Sequence, residues 1–177
     1  MHFIACCGII FLDFLHWEGF LLAGQIIHIK GNEVPEKHKC EHKDYEYTKR
    51  IIVSREQAKQ CAVSLYELPP GKCAYPYHFH TKNEEVFYII SGQGMIRTPD
   101  GEKAVSAGDF LFFPADEKGA HKLTNTSPDS NLVYIDFDSS NDIDITFYPD
   151  SGKIGVWGMN IDKVYKTKDH IDYYEGE

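Results

Sequence analysis

Residues 71–94 read GKCAYPYHFHTKNEEVFYIISGQG, and this stretch decides the fold. His78 and His80 stand two apart, so on a strand both point to one face. Thr81-Lys82-Asn83 make a polar turn, after which Glu84 and Glu85 lead into the strand-like run VFYIIS. A strand returning from that turn brings Glu85 back to the face that carries the two histidines. Glu84 is one position out of step and points to the opposite face, which favours Glu85 as the carboxylate of the cluster. Two imidazoles and a carboxylate converging on one point suit a borderline divalent ion such as Mn, Fe, Ni or Zn. A third neutral donor should come from a separate strand. His121, which opens HKLTN after the segment GDFLFFP, is the candidate.

Outward from this stretch the punctuation is that of an all-β protein. Runs rich in β-branched and aromatic residues fall at 26–29, 50–54, 62–68, 85–91, 95–98, 103–106, 110–113, 121–125, 132–137 and 145–148. Turn signals separate them, among them Pro69-Pro70-Gly71, Pro99-Asp100-Gly101, Ala107-Gly108-Asp109 and Ser127-Pro128-Asp129. Many short strands without long helical patterns between them predict a sandwich or a barrel. One helical turn is expected near 54–59, where Ser54 and Gln57 form a capping pair. The charged stretch 33–49 reads as a surface excursion ahead of the barrel.

His78-Phe79-His80, four residues, Glu85, six residues and Gly92 resemble the first motif of the cupin superfamily. Gly108, five residues, Pro114, Gly119, His121, three residues and Asn125 resemble the second. Both motifs stand in order within residues 60–138, with fifteen residues between Gly92 and Gly108. The lead from Gly71 to His78 is one residue longer than the usual pattern, and the loop from Pro114 to His121 is two longer. Both changes fall in loops ahead of ligand histidines, so they bear on the cavity rim more than on the metal. An isolated H-x-H pair is more often two solvated strand histidines; set in both motifs, it reads as a metal site.

The chain is similar to small single-domain bacterial cupins of the conserved-barrel type. That resemblance implies a cupin jelly-roll β-barrel (a double-stranded β-helix) over residues 25–177. It further implies one divalent transition metal held by His78, His80, Glu85 and His121, with two coordination positions left open. The expected activity is that of a metal-dependent enzyme acting on a small polar substrate, of dioxygenase, isomerase or decarboxylase type. The alternative is a non-catalytic cupin that binds or senses a small ligand. Small cupins of this kind commonly pair, so a homodimer is expected.

Phe87 and Ile89 share the parity of Glu85 and are candidates for the apolar wall of the cavity, or are simple barrel core. Asn125 falls on the face of His121 and either lines the cavity or holds a turn. Asp136 and Asp138, near the end of LVYIDFD, read as hydrated strand-end charges rather than acid–base groups. His38, Cys40 and His42 share one face of an extended segment, but the surrounding Lys and Glu favour a solvated loop over a metal clip. Cys73 reads as packing.

The remaining features exclude more than they assign. A formal charge of −9 with no concentrated basic patch argues against a nucleic-acid partner. Five cysteines at irregular spacings do not form a disulfide framework, so reduced thiols and a cytoplasmic location are expected. Residues 1–24 are strongly apolar, but no Lys or Arg precedes the apolar run, as a secretory signal requires. Asp13, His16 and Glu18 interrupt it, which argues against a membrane span. The segment is expected to be an extension packed on the barrel or on a partner subunit, or a spurious extension ahead of the true start.

Overall fold

Strands form where apolar and aromatic residues alternate with polar ones, and the chain turns back at the glycines and prolines between them. The computed structural model describes residues 24–177; the expectations for residues 1–23 lie outside the described residues. The strands are β1 (Glu36–His42), β2 (Tyr45–Val53), β3 (Cys61–Leu68), β4 (Phe79–His80), β5 (Glu85–Ser91), β6 (Gln93–Thr98) and β7 (Gly101–Ser106). They continue with β8 (Phe110–Phe113), β9 (Lys122–Asn125), β10 (Leu132–Ser139), β11 (Ile143–Tyr148), β12 (Lys153–Gly158) and β13 (Lys163–Lys166). Three antiparallel sheets result, ordered β1-β2-β3-β10-β5-β8, β13-β12-β11-β4 and β7-β6-β9. This is the jelly-roll arrangement, in which sequence-distant strands such as β3, β10 and β5 become neighbours.

Alternation along the large sheet sorts its residues into two faces. Tyr66 and Leu68 of β3, Leu132 and Tyr134 of β10, and Phe87 and Ile89 of β5 point inward and are buried. Ile96, Val105 and Leu123 of the three-stranded sheet close over them, with Phe113 of β8 completing the core. Tyr66 stacks on Tyr134 at a centroid distance of 5.0 Å. Side chains of this size, buried from water, each contribute roughly 1.5–3 kcal/mol to folding.

Two glycines of the motifs have steric reasons. Gly92, between β5 and β6, has φ +84°. A Cβ there would lie 2.4 Å from the carbonyl oxygen of Asn131, so the turn closes only on glycine. At Gly119, in the loop before His121, a Cβ would lie 1.8 Å from the Pro114 carbonyl oxygen.

The structure departs from the sequence reading in the segments that precede β3. Residues 26–29 form no strand, and Ile26 is 96% exposed. The charged stretch 33–49 is not a loop excursion: it supplies β1 and the start of β2, an edge hairpin. β1 is exposed along its whole length, so no apolar alternation marks it, and its Lys and Glu side chains suit a sheet edge. The helical turn forms at 54–58, where the Ala58 N–H donates to the Ser54 carbonyl at 2.9 Å. Its capping pair is present: the Ser54 N–H donates to Gln57 Oε1 at 2.9 Å, and the Gln57 N–H meets Ser54 Oγ at 3.4 Å. Among the described residues no helix is long and apolar enough to cross a membrane.

Candidate metal centre

The four expected donors come from three segments, and backbone pairing brings them together. The His78 N–H donates to the His121 carbonyl at 3.1 Å, and the His121 N–H returns a bond to the His78 carbonyl at 2.8 Å. His80 ends β4 opposite Thr146 of β11. Glu85 opens β5 with its side chain inward, while Glu84 is exposed, as strand alternation requires. Donor atoms of His78, His80 and Glu85 lie within 4.8 Å of one another. His121 joins them through Glu85: its Nε2 is 3.3 Å from Glu85 Oε2, and His80 Nε2 is 3.6 Å from the same oxygen.

The tautomers follow from what each ring touches on its far side. His78 Nδ1 is 2.8 Å from the Pro76 carbonyl, and His121 Nδ1 is 2.9 Å from the Gly119 carbonyl. A carbonyl only accepts, so each Nδ1 carries the hydrogen and each Nε2 keeps a free lone pair. His80 Nδ1 donates to Asp144 Oδ2 at 2.5 Å. Burial holds His78 at about 4 and His121 well below its ordinary value, with neighbouring histidines adding to both shifts, so both rings are neutral at pH 7. Burial, then the charges of Asp136 and Asp138, push Glu85 well above the usual carboxylate range. His121 Nε2 and Glu85 Oε2 are buried without a hydrogen-bond partner. Neutral imidazole lone pairs and an unpartnered carboxylate oxygen are the donor chemistry a divalent transition metal takes, so the residues fit such an ion.

His78, His80 and Glu85 sit in the wall of a cavity of about 410 Å³. The wall continues through Lys49, Arg55, Tyr66, Tyr75, Asp136, Asp138, Tyr148 and Trp157. Asp136 is 8% exposed and its Oδ1 has no partner. Burial, then the charge of Asp138, raise its carboxyl to about 7. Burial lowers the Lys49 ammonium. Arg55 pairs with Asp138. Tyr148 stacks beside His78 at 5.9 Å, and burial followed by the Glu85 charge pushes its phenol up to about 12.

Several expected roles change here. Asp136 and Asp138 are not hydrated strand-end charges; both line the cavity, because they keep the inward parity of Leu132 and Tyr134 along β10. That parity was the available signal. Phe87 does not reach the cavity but packs edge-on against His121 at 5.4 Å, and Ile89 is core. Asn125 is fully buried and holds a turn, donating to the Leu68 and Ser130 carbonyls at 2.8 Å and accepting from the Ser127 N–H. Cys73 is buried with Sγ 3.2 Å from Thr124 Oγ1. His38, Cys40 and His42 lie exposed on β1, and His38 bonds Thr48. Lys49, Arg55, Asp144, Thr146 and Trp157 were not foreseen as site residues.

Residues 64–138 match the family described as Cupin domain. That stretch of the chain is a cupin domain. A search of curated proteins finds no match to this cupin. Among solved structures it is similar to a candidate sugar phosphate isomerase of Acidithiobacillus ferrooxidans. The TM-score is 0.69 at 22% identity, covering 81% of this chain and 92% of that one. It is also similar to a cupin-superfamily sugar phosphate isomerase of Silicibacter pomeroyi, with TM-score 0.72, 14% identity, and coverage of 84% and 98%. A predicted oxalate decarboxylase of Thermotoga maritima gives TM-score 0.57 at 21% identity, covering 65% of this chain and 100% of that one. At such identities the likeness is one of fold.

Proposed function

We propose that this cupin is a metal-dependent enzyme of isomerase type, moving a proton on a small, oxygen-rich substrate. The observation that supports the reading is the pairing, in one cavity of about 410 Å³, of a histidine–carboxylate donor cluster with a buried carboxyl titrating at about 7. A divalent ion held by His78, His80, Glu85 and His121 would act as a Lewis acid on a substrate oxygen. Asp136 takes a proton from the substrate carbon and returns it to the neighbouring atom, a role suited to a carboxyl that exchanges its proton near neutral pH. Lys49 and Arg55 attract an anionic group of the substrate. Tyr148, a phenol that stays protonated, donates a hydrogen bond into the cavity. The similar solved structures share only a fold with this chain, so they set the order in which substrates are tried: aldose and ketose phosphates first.

Two measurements test this. Metal content by plasma mass spectrometry should be close to one equivalent in the wild type and fall away in His80→Ala. With the metal loaded, Asp136→Asn should lower kcat for aldose–ketose interconversion by about 10²-fold or more, with little change in metal content. Metal retention and ligand binding without turnover of any sugar phosphate would favour the non-catalytic binding cupin. A wild-type protein that takes up no metal after reconstitution would sink the metal-dependent enzyme and leave a metal-free ligand-binding cupin as the better account.

A further inference from the structure

His80 differs from the other two histidines in what stands behind it. His78 and His121 each turn Nδ1 to the carbonyl two residues earlier, so each ring is oriented within its own loop. His80 Nδ1 reaches instead to Asp144 on β11, 64 positions away in the chain. The Asp144 side chain is wholly buried. It also accepts the backbone N–H groups of Lys82 (2.8 Å) and Asn83 (3.3 Å) and the Thr81 hydroxyl (3.4 Å). A carboxylate held by that many donors cannot swing away from the ring.

A second layer supports it. Thr146 follows Asp144 on the same face of β11 and pairs with His80 across the strands, its Oγ1 3.1 Å from His80 Nδ1. Trp157 Nε1 donates to Thr146 Oγ1 at 2.7 Å. Gly155, the register partner of Thr146, makes room for the indole: a Cβ there would lie 2.6 Å from Trp157 Cζ2. Burying an ionised carboxylate is costly where an apolar side chain would pack as well. Here the charge faces an imidazole whose opposite nitrogen points into the donor cluster, where it raises the ring's basicity and fixes its tautomer.

We propose that Asp144, backed by Thr146 and Trp157, is the positioning device that aims His80 Nε2 at the metal. Metal affinity is then set in part from the β11–β12 hairpin, outside residues 64–138 that match the cupin family. The inference rests on the metal-site reading above. Its test is binding, not turnover: the EDTA-stripped full chain is titrated with Co²⁺ against a colorimetric chelator, and the stripped proteins are melted in parallel. Asp144→Asn should weaken Co²⁺ binding by about 10- to 100-fold and change the visible Co²⁺ absorption, while the stripped variant melts near the wild type. Thr146→Val should lose affinity, and Thr146→Ser, which keeps the hydroxyl, should bind like the wild type. Asp144→Asn affinity within twofold of wild type overturns the proposal. If that variant does not fold, equal affinities of Thr146→Val and Thr146→Ser overturn it instead. A wild type that binds no Co²⁺ removes the metal reading and this proposal together; a wild type that binds, with variants unaffected, removes this proposal alone.

Discussion

The inner face of the six-stranded sheet has two ends built from the same strands, and they treat buried polar atoms in opposite ways. At one end Leu68, Ile89 and Leu132 are wholly covered, and the buried Asn125 beside them has every one of its polar contacts filled. At the other end the same inward parity yields Glu85 on β5 and Asp136 and Asp138 on β10. There Glu85 Oε2, His121 Nε2, Asp136 Oδ1 and Asp138 Oδ1 are buried without partners. Asn83 Nδ2, in the adjacent turn, is the fifth such atom among the described residues. Closed hydrogen bonding marks the end that stabilises the barrel; open hydrogen bonding marks the end where the histidine–carboxylate cluster lies.

Breaking the closed end has the largest expected effect. Leu132→Ala removes a side chain with no exposure and should cost about 2–5 kcal/mol in urea unfolding. Its folded fraction should still take up metal, because no donor is touched. Metal loss in step with destabilisation would show that the two ends are not separable.

At the open end a substitution should stabilise. The Asp136 carboxyl is raised from 3.8 to about 7, so between those values the folded state holds a proton that the unfolded chain has released. The wild type therefore loses the Asp136 contribution to stability as pH rises from about 4 to 7, and Asp136→Asn lacks that loss. In the metal-free protein the variant's advantage should grow by about 2 kcal/mol between pH 5 and pH 8. An advantage that is flat with pH would mean that Asp136 is ionised throughout, and the open end would lose its proton-transfer group.

The smallest effect sharpens the parity argument. Glu84→Gln changes an exposed carboxylate one position from Glu85 and should shift stability by less than about 0.5 kcal/mol, with metal content unchanged. Loss of metal in that variant would reverse the assignment of the two glutamates.

How much of this was legible in the chain depends on the distance over which each signal acts. β5 and β8 were read with their observed bounds, since dense aromatic and β-branched runs end at glycines and prolines. β1 and β13 carry exposed polar residues at sheet edges, where nothing forces an apolar alternation, so neither was expected. β12, which contributes Trp157 and Gly155 behind His80, was missed because its glycines interrupt the strand pattern. In the candidate site, the clustering of His78, His80 and Glu85 was legible as local spacing, and the approach of His121 as part of a motif resemblance. Asp136 was legible in principle, since it keeps the parity of Tyr134, but a carboxylate near a strand end reads first as hydrated.

The amino-acid sequence alone thus determined that the chain is an all-β cupin, which glutamate turns inward, and which histidines share a face. The cupin reading came from the resemblance of its two motifs, while the inward glutamate and the shared histidine face follow from a two-residue side-chain period and from turns that only certain residues allow. Only the tertiary structure decided what faces those donors. Lys49, Asp136 and Asp144 reach the site through strand register between segments tens of residues apart. Register depends on the packing of whole sheets, so no local pattern in the chain records it.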